Sequence, residues 1–540
     1  MNERERAMVD LPEEEQTRSV GGESNQKKRA AEEPASAPVS IVRNIFSFPA
    51  MLGGLLVTGV FVARRNFDVD PDFWWHLKVG DGILAAHKWP VTDPYSYTAA
   101  GNSWLAAEWL SEVLFASVNR LGGFRGLEAL FLVLGAAIMV ALYIFATLRS
   151  KNSKAGFVAA AMLLVLATAN FNLRPQMLGY LFLILTLIAL ERFRQGHRRA
   201  LWFLPLLFLA WVNTHPSWEI GLGTIFVYWM SGWKGMRVGG IEMHRWGSTE
   251  RVRLAWTFLL CVAVLPITPY GTRLAAFPFQ FVSALPNNLT YIIEWQQMPF
   301  DQPGPKLFLI LVFAIFAVQI AFRLVWRLEE AALFLLGVLM ACLHARFLLV
   351  FVPFCAALLA ATLAVWVPGY DRKKDQYLLN AALLCAMLFG MIWFFPSRAA
   401  IEQNIATRFP LHAVEYLREH PLPGPMFNTY NFGGYLVWAR GPEHKVFIDG
   451  RGELYEPAGV FPDYMHITLL KPGALDVLRS YGIRSCLLER DQPLATVLSA
   501  RADWQKVYSD RTSVIFVYEG ERKLTAKTRG WNVATEKEQR

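Results

Sequence analysis

Apolar blocks about as long as a bilayer is thick recur along most of this chain, and they leave few folds open to it. A helix rising about 1.5 Å per residue needs roughly 20 such residues to cross the hydrocarbon of a membrane. Blocks of this kind lie at 45–63, 127–148, 155–171, 176–194, 199–212, 219–232, 253–268, 306–325, 328–343, 345–367 and 377–396. The expectation is an α-helical polytopic membrane protein with about 11 transmembrane helices. The block at 199–212 is short for a span and is read as tilted or re-entrant. Only 18% of the residues are charged, against about 25% in an ordinary soluble domain.

The net charge of +9 follows the loops. With a cytoplasmic N-terminus, the loops on the cytoplasmic side carry Arg149, Lys151 and Lys154, then Arg192, Arg194, Arg198 and Arg199, then Lys234, Arg237, Arg245, Arg251 and Arg253, then Arg323 and Arg327, then Arg372, Lys373 and Lys374. The opposite loops beyond the first carry only Arg174, Arg273 and Arg346, with Lys306 at a span edge. This asymmetry is the positive-inside pattern, in which a long first loop reports weakly. The basic charge therefore marks topology, and no nucleic-acid partner is expected. The protein is expected to be multi-pass in the inner (plasma) membrane, and an odd number of spans places everything after about residue 397 on the extracytoplasmic side.

Four segments follow. Residues 1–43 are polar, with Glu13-Glu14-Glu15 and Lys27-Lys28-Arg29, and are read as a disordered cytoplasmic tail. No cleavable signal peptide is evident, so the first apolar block is read as a retained anchor. Residues 44–398 form the membrane bundle, with a first external loop at 64–126. Residues 399–521 read as a small C-terminal extracytoplasmic α/β domain, and 522–540 as a basic tail. In the α/β segment, helices are predicted at Leu411–His420, Tyr435–Arg440 and 474–481, with a turn at Gly433-Gly434. Strands are predicted at Met426–Asn428, Lys445–Ile448, Arg484–Leu488, Trp504–Tyr508 and Ser513–Tyr518. Cys261, Cys342, Cys355 and Cys385 lie in apolar spans and Cys486 stands alone, which gives neither a disulfide framework nor metal-ligand spacing.

The unusual polar residues collect in the predicted outer loops. The first loop holds Asp68, Asp70 and Asp72 at alternate positions, then Trp74-Trp75-His76, then Glu108 and Glu112. Asp70 and Asp72 are spaced to share a divalent metal with phosphate oxygens. One of them could instead take a proton from a hydroxyl, or both could shape an acidic turn around Pro71. Trp74 and Trp75 are either substrate platforms or interfacial anchors. Glu108 and Glu112 fall one turn apart on a predicted amphipathic helix at the interface, with Glu108 toward the site and Glu112 toward water. Arg174, Arg273 and Arg346 are isolated guanidinium groups from separate loops that could converge on a lipid phosphate or merely snorkel. Gln176, Asn213, His215, Glu294 and His344 lie in the same set of turns. Gly433-Gly434 could cradle a phosphate at a helix start, and Asp449 and Arg451 follow a predicted strand, where α/β domains place ligand contacts.

A first span, an acidic external loop, many later spans and a C-terminal external domain resemble the C-type glycosyltransferase (GT-C) superfamily, which includes protein mannosyltransferases, aminoarabinose transferases and oligosaccharyltransferases. More closely, D-x-D-x-W-W-H-L-x-x-G (Asp70 to Gly80) with Asp93-Pro94, Glu108-Trp109-Leu110, Arg174-Pro175-Gln176, Pro269-Tyr270-Gly271, Gly433-Gly434-Tyr435 and Phe447-Ile448-Asp449-Gly450-Arg451 is similar to a group of bacterial polytopic membrane proteins assigned to that superfamily. The resemblance runs over about residues 45–520. The Asp-Glu dipeptide of the mannosyltransferases is absent, and Asp70-Pro71-Asp72 stands in its place.

The resemblance implies transfer of a sugar from a polyprenyl-phosphate carrier to a glycan, lipid or protein acceptor at the outer face of the bilayer. It implies a catalytic set of Asp70, Asp72, Glu108 and His76, with Asp70 or Asp72 as the base. Substrate contacts would come from Trp74, Trp75, Arg174, Gln176, Asn213, His215, Arg273, Glu294, Arg346, Asp449 and Arg451, and a divalent metal at Asp70 and Asp72 is the one cofactor it brings into view. Three other readings remain open: a non-catalytic polyprenyl-lipid-binding or envelope-assembly scaffold, an O-antigen-ligase-like polymerase, and a lipid or solute transporter. The ligases carry their large loop late in the chain, whereas this acidic loop is early. Mid-span positions without Asp, Glu, Lys or Arg argue against proton-coupled transport.

Overall fold

A computed structural model describes residues 42–66, 69–168, 170–284 and 290–520. Except for Val42 and Arg43, the two predicted tails lie outside the described residues, and so does Asp68. The helices of the first part are α1 (Phe48–Arg64), α2 (Phe73–Ala86), α3 (Trp109–Ser150), α4 (Ser153–Thr168), α5 (Gln176–Arg194), α6 (Phe203–Thr214), α7 (Trp218–Ser231), α8 (Ser248–Ala263), α9 (Thr272–Ala284), α10 (Pro303–Phe322), α11 (Leu328–Leu343), α12 (Leu348–Leu363) and α13 (Tyr377–Trp393). Each predicted apolar block overlaps a helix. Among the described residues, Trp109–Ser150, Gln176–Arg194, Pro303–Phe322 and Ala345–Leu363 are long and apolar enough to cross a membrane unaided, and Tyr377–Trp393 with Arg398–Ala406, bent by 60° at the break, forms a further candidate. Other blocks make shorter helices: the one at 199–212 is split into a 3₁₀ turn at Arg198–Trp202 and the 12-residue α6.

Helix α12 is buried along nearly its whole length and forms the centre of the bundle. In α13 only Asn380 is buried. Ile310, Phe313 and Ile320 of α10 and Phe389, Ile392 and Trp393 of α13 face outward. Large apolar side chains displayed on helices whose backbone bonds are satisfied internally suit a hydrocarbon solvent.

Helix α3 is broken at Gly123, where φ is 57° and ψ is −152°, a conformation open essentially to glycine alone. The break divides a membrane-length half from a first half that packs on α2. That packing needs Gly80, because a Cβ there would collide with the Glu112 carbonyl. The interfacial helix expected from Trp104 therefore begins only at Trp109 and stands against α2.

The ends of the bundle differ in charge. Beyond the C-terminal end of α5, Arg149 forks onto Glu330, Arg194 pairs with Glu329, and Arg327 pairs with Glu191 at 2.8 Å. Glu191, Glu329 and Glu330 are all buried. The rim expected to be a plain run of basic residues thus has arginines that belong in part to a buried ion-pair network. Helix α5 has 19 residues, a rise of about 28 Å, with Arg174 just before its start and Arg194 at its end.

After α13 come α14 (Arg398–Ala406), α15 (Leu411–Glu419), α16 (Tyr430–Arg440), α17 (Val460–Thr468), α18 (Ala474–Ser480) and α19 (Pro493–Ser499). They flank a four-stranded sheet of β1 (Met426–Asn428), β2 (Ser485–Glu489), β3 (Trp504–Ser509) and β4 (Ser513–Tyr518), in the order β1-β2-β4-β3. β1 and β2 run parallel and the other neighbours antiparallel. Two predictions need correction. Gly433 and Gly434 lie inside α16 rather than in a turn. The strand expected at Lys445–Ile448 is a single bridge, because Val446 pairs with the first loop: Tyr97 N donates to Val446 O (3.1 Å) and Val446 N to Tyr95 O (3.0 Å).

The same seam holds a buried clamp. Arg451 donates to both oxygens of Asp449 (2.8 and 2.7 Å) and to Asp93 of the first loop (2.7 Å), and its guanidinium lies over Trp104 (4.8 Å). All three charged side chains are fully buried. Removing one partner of a buried ion pair typically costs about 3–5 kcal/mol. Arg451→Gln should therefore lower the apparent melting temperature of the detergent-solubilised protein sharply, followed by intrinsic fluorescence. Arg451→Lys, which keeps the charge but not the planar fork, should restore only part of the loss.

Candidate functional site

Asp70 and Asp72 lie in a tight turn entering α2, where Asp72 N donates to Asp70 Oδ1 (2.9 Å). The turn faces Arg174, held between α4 and α5. Its Nη2 donates to Asp70 and to Asp72 Oδ2 (2.7 Å), and its Nη1 donates to both oxygens of Glu294 (3.1 Å each) in the 3₁₀ turn Ile293–Trp295. One cation thus faces three carboxylates. Asp72 Oδ1, buried near Gly450, has no hydrogen bond among the described residues. A buried anionic oxygen without a donor is expensive. Accordingly, burial lifts the Asp72 carboxyl to about 8, with Arg174 opposing, Asp70 and Glu294 adding, and the neighbouring Trp75 indole N–H lowering it slightly. Burial also works against Glu294, but Arg174 and then Arg346 outweigh it and hold that carboxyl below its ordinary range. Arg174 itself, disfavoured by burial, is held well above its usual value by Asp70, Glu294 and Asp72.

A second chain of groups lies one helical turn away. His76 of α2 meets Glu112 Oε1 through Nδ1 (2.9 Å) and Glu108 Oε2 through Nε2 (3.3 Å). Glu108 Oε1 reaches His215 Nε2 (3.3 Å), and His215 Nδ1 reaches Ser217 Oγ (2.8 Å). The Trp75 ring covers the His76 imidazole at 3.6 Å between centroids. Burial, with Arg174 and His215 next, drives His76 well below its ordinary value, and burial with Arg346 and Arg174 drives His215 to about 3. Burial lifts Glu108 to about 8. Burial thus favours the neutral imidazoles of His76 and His215 and the protonated form of Glu108.

The third element is Arg346. Its guanidinium rests on the Trp295 ring at 4.0 Å, and the neighbouring His344 Nδ1 meets Trp295 O at 2.5 Å. Among the described residues no carboxylate lies within 4.0 Å of Arg346. The Glu294-Trp295 pair therefore holds, beside one residue, a guanidinium shared among three carboxylates and, beside the next, one with no carboxylate within 4.0 Å among the described residues.

Of the residues singled out in the sequence, the structure gathers Asp70, Asp72, Trp75, His76, Glu108, Arg174, His215, Glu294 and Arg346. Gln176 opens α5 beside them and is half-buried. Others stand apart. Trp74 is fully buried among Phe73, Phe409, Tyr435 and Trp438, so it packs the seam and cannot serve as a substrate platform. Asn213 is occupied in full: it accepts from Trp109 Nε1 (2.8 Å) and donates to Leu209 O and Ile267 O. Arg273 bonds Ser103 on the exposed side of the loop instead of converging with the other arginines. Asp449 and Arg451, expected at a ligand, are closed inside their clamp. Glu112, expected to face water, is fully buried on His76; its apolar flanks, Leu110, Val113 and Leu114, carried that signal. Sequence reasoning also passed over Glu453, which accepts from Trp104 Nε1 (3.0 Å), and Gly450, where a Cβ would collide with the Asp72 carboxylate.

The residues do not fit a divalent metal at Asp70 and Asp72. The Arg174 guanidinium already bridges those carboxylates, and among the described residues no three His, Cys, Asp or Glu side chains form a metal-holding group.

No family model matches the sequence, and no curated protein matches it. Solved structures do match. The chain is similar to the oligosaccharyltransferase of Archaeoglobus fulgidus tethered to an acceptor peptide, at 10% identity over 83% of this chain and 70% of that one, with a TM-score of 0.50. It is similar to the arabinofuranosyltransferase AftD from Mycobacteria at 14% identity over 88% of this chain and 41% of that one, with a TM-score of 0.51. ArnT of Cupriavidus metallidurans bound to undecaprenyl phosphate aligns at 13% identity over 89% and 98% of the two chains, with a TM-score of 0.46. At these identities the common property is the fold.

The proton placement is open to direct measurement. The infrared band of protonated carboxyl groups should fade as pH rises through about 8, since Asp72 and Glu108 are neutral below that value and ionised above it. Asp72→Asn should remove part of that amplitude, and adding Glu108→Gln should remove more of it.

Proposed function

We propose, starting from the GT-C fold that this chain has, that it is a membrane glycosyltransferase moving a sugar from a polyprenyl-phosphate carrier to an acceptor hydroxyl at the extracytoplasmic face. The observation that carries this reading is the contrast between the two guanidinium groups flanking Glu294-Trp295. Arg174 is shared among three carboxylates and fixes them in place. Arg346 is oriented by an aromatic ring and, among the described residues, has no carboxylate within 4.0 Å. A guanidinium held in this way suits a phosphate oxygen. Its place between α11 and α12, at one end of long apolar helices, suits a phosphate whose tail remains in the bilayer.

The reaction then divides among the residues of the site. The acceptor hydroxyl gives its proton to Asp72 as its oxygen forms the new bond to the anomeric carbon. The bond from that carbon to the phosphate oxygen breaks, and Arg346 stabilises the negative charge that the departing lipid phosphate gains. A carboxylate whose pKa is raised toward working pH is a stronger base than an ordinary aspartate. Asp70 and Glu294 share Arg174 with it and set its position. Glu108, between His76 and His215, is a reservoir for protons close to the same site.

Purified protein supplied with a labelled polyprenyl-phosphate sugar should release the lipid phosphate. The rate at subsaturating donor should rise with pH and level off above about 8, because Asp72 must be ionised to accept a proton. Asp72→Asn should lose about 10²–10⁴-fold in kcat, and Arg346→Gln should weaken transition-state stabilisation by a comparable factor. Full activity in both Asp70→Asn and Asp72→Asn would overturn the assignment. Donor binding without transfer by the wild type would turn the reading toward a lipid-binding scaffold.

A further inference from the structure

The reaction described above makes no use of a cavity on the far side of α2. It has a volume of about 460 Å³ and lies between α2, the C-terminal end of α15 and the end of α16. Lys78, Arg418, Arg440 and His444 line it, and Glu443 is the one carboxylate in its wall. Lys78 follows Asp72 by six positions, about 9 Å along a helix, so α2 carries the candidate catalytic carboxylate at its start and this basic wall farther along.

The positive charge here is poorly matched. Among the described residues, Lys78, Arg418 and Arg440 have no carboxylate within 4.0 Å. Arg418 Nη2 makes one bond, to Ala439 O at 3.3 Å in the last turn of α16. A cation near a helix C-terminus is ordinary, and that accounts for Arg418 but not for four basic groups around one concavity. Asp81, the nearest acid on α2, is engaged by Arg120 (2.8 Å). Arg440 is shifted below its usual value by burial and then by Arg418, and His444 by burial and then by Arg440, with Glu443 opposing, so the basic groups here also weigh on one another. Four basic groups facing one carboxylate around a concavity leave a net positive site for an anion, and two guanidinium forks beside a lysine suit the oxygens of a phosphate ester.

We infer that this cavity is a second, non-catalytic site that binds a phosphate-bearing group, either the headgroup of an anionic phospholipid or the phosphate of a soluble phosphorylated glycan. The inference does not depend on the sugar-transfer reading, because it rests on a different face of α2.

The test uses the full chain carrying Arg346→Gln, so that the proposed donor-phosphate contact does not contribute. In phosphatidylcholine nanodiscs at low salt, titration with inorganic phosphate by calorimetry should show saturable binding. Adding Arg418→Gln and Arg440→Gln should weaken it by about tenfold or more, as expected for losing two charge-assisted contacts. Arg418→Lys with Arg440→Lys, which keeps the charge, should restore part of it, and this separates loss of the site from loss of fold. Replacing a share of the lipid with phosphatidylglycerol distinguishes the sources. If that abolishes phosphate binding, the site takes a headgroup; if binding persists, it takes a soluble phosphate. Absence of saturable binding in the Arg346→Gln protein, or an unchanged affinity in the Arg418→Gln, Arg440→Gln protein, would overturn the inference.

Discussion

A single guanidinium facing three carboxylates sets the terms for the rest of this structure. Arg174 reaches Asp70 and Asp72 from the first loop and Glu294 from a turn more than a hundred residues later. Each contact is charge-assisted and shielded from water, so each is stronger than a surface pair. The sum is still one positive charge against three negative ones, and like carboxylates crowded at one cation cannot all stay ionised cheaply. The conflict is relieved by a proton on the member with the poorest solvation. Asp72, with one oxygen on Arg174 and the other lacking a donor, is that member. The same arrangement therefore ties distant segments together and produces a carboxyl poised near neutral pH.

Three helices deliver the groups to that end of the bundle and are fixed at the other. α3 begins beside Glu108 and ends at Arg149, α5 runs from Arg174 to Arg194, and α11 runs from Glu329 and Glu330 toward His344 and Arg346. Buried charges at the ends of these helices are costly unless paired. At the far end the pairing is arginine with buried glutamate: Arg149 with Glu330, Arg194 with Glu329 and Arg327 with Glu191. These pairs set the relative registers of α3, α5 and α11, so a network remote from the chemistry helps position His344 and Arg346 at the site.

Local signals were legible in the sequence where one helix or one turn decides the outcome. The apolar blocks became helices, and Asp70-Pro71-Asp72 became a turn with an aspartate side chain accepting from the backbone. What the sequence could not display was which polar groups would meet. Asp93 and Arg451 are separated by 358 positions and share one buried bond; nothing local distinguishes that arginine from one waiting for a ligand. Glu112 reads as a water-facing residue of an amphipathic helix until α2 is laid across it through Gly80. Trp74 and Trp75 are adjacent and chemically identical, yet one is sealed in the seam and the other covers His76. Helical rotation of about 100° per residue separates their faces, but which face meets the site is a tertiary fact.

The seam between the first loop and the C-terminal segment is built where side chains are missing. A Cβ on Gly434 would strike the Pro71 carbonyl, one on Gly433 the Ile448 carbonyl, and one on Gly450 the Asp72 carboxylate. The C-terminal segment therefore comes close enough to cover Asp72 Oδ1 without its own backbone donating a hydrogen bond to that oxygen. Close apolar approach of this kind is what raises a carboxyl pKa; a nearby donor would lower it. The Asp449–Arg451–Asp93 clamp sits immediately beyond Gly450 and holds the approach in place. The glycines and the clamp are thus parts of one device. Bulk at Gly450 would push the segment away, hydrate Asp72 and return it toward an ordinary aspartate, leaving the ion pairs to Arg174 intact while removing the raised pKa on which its proposed role as a base rests.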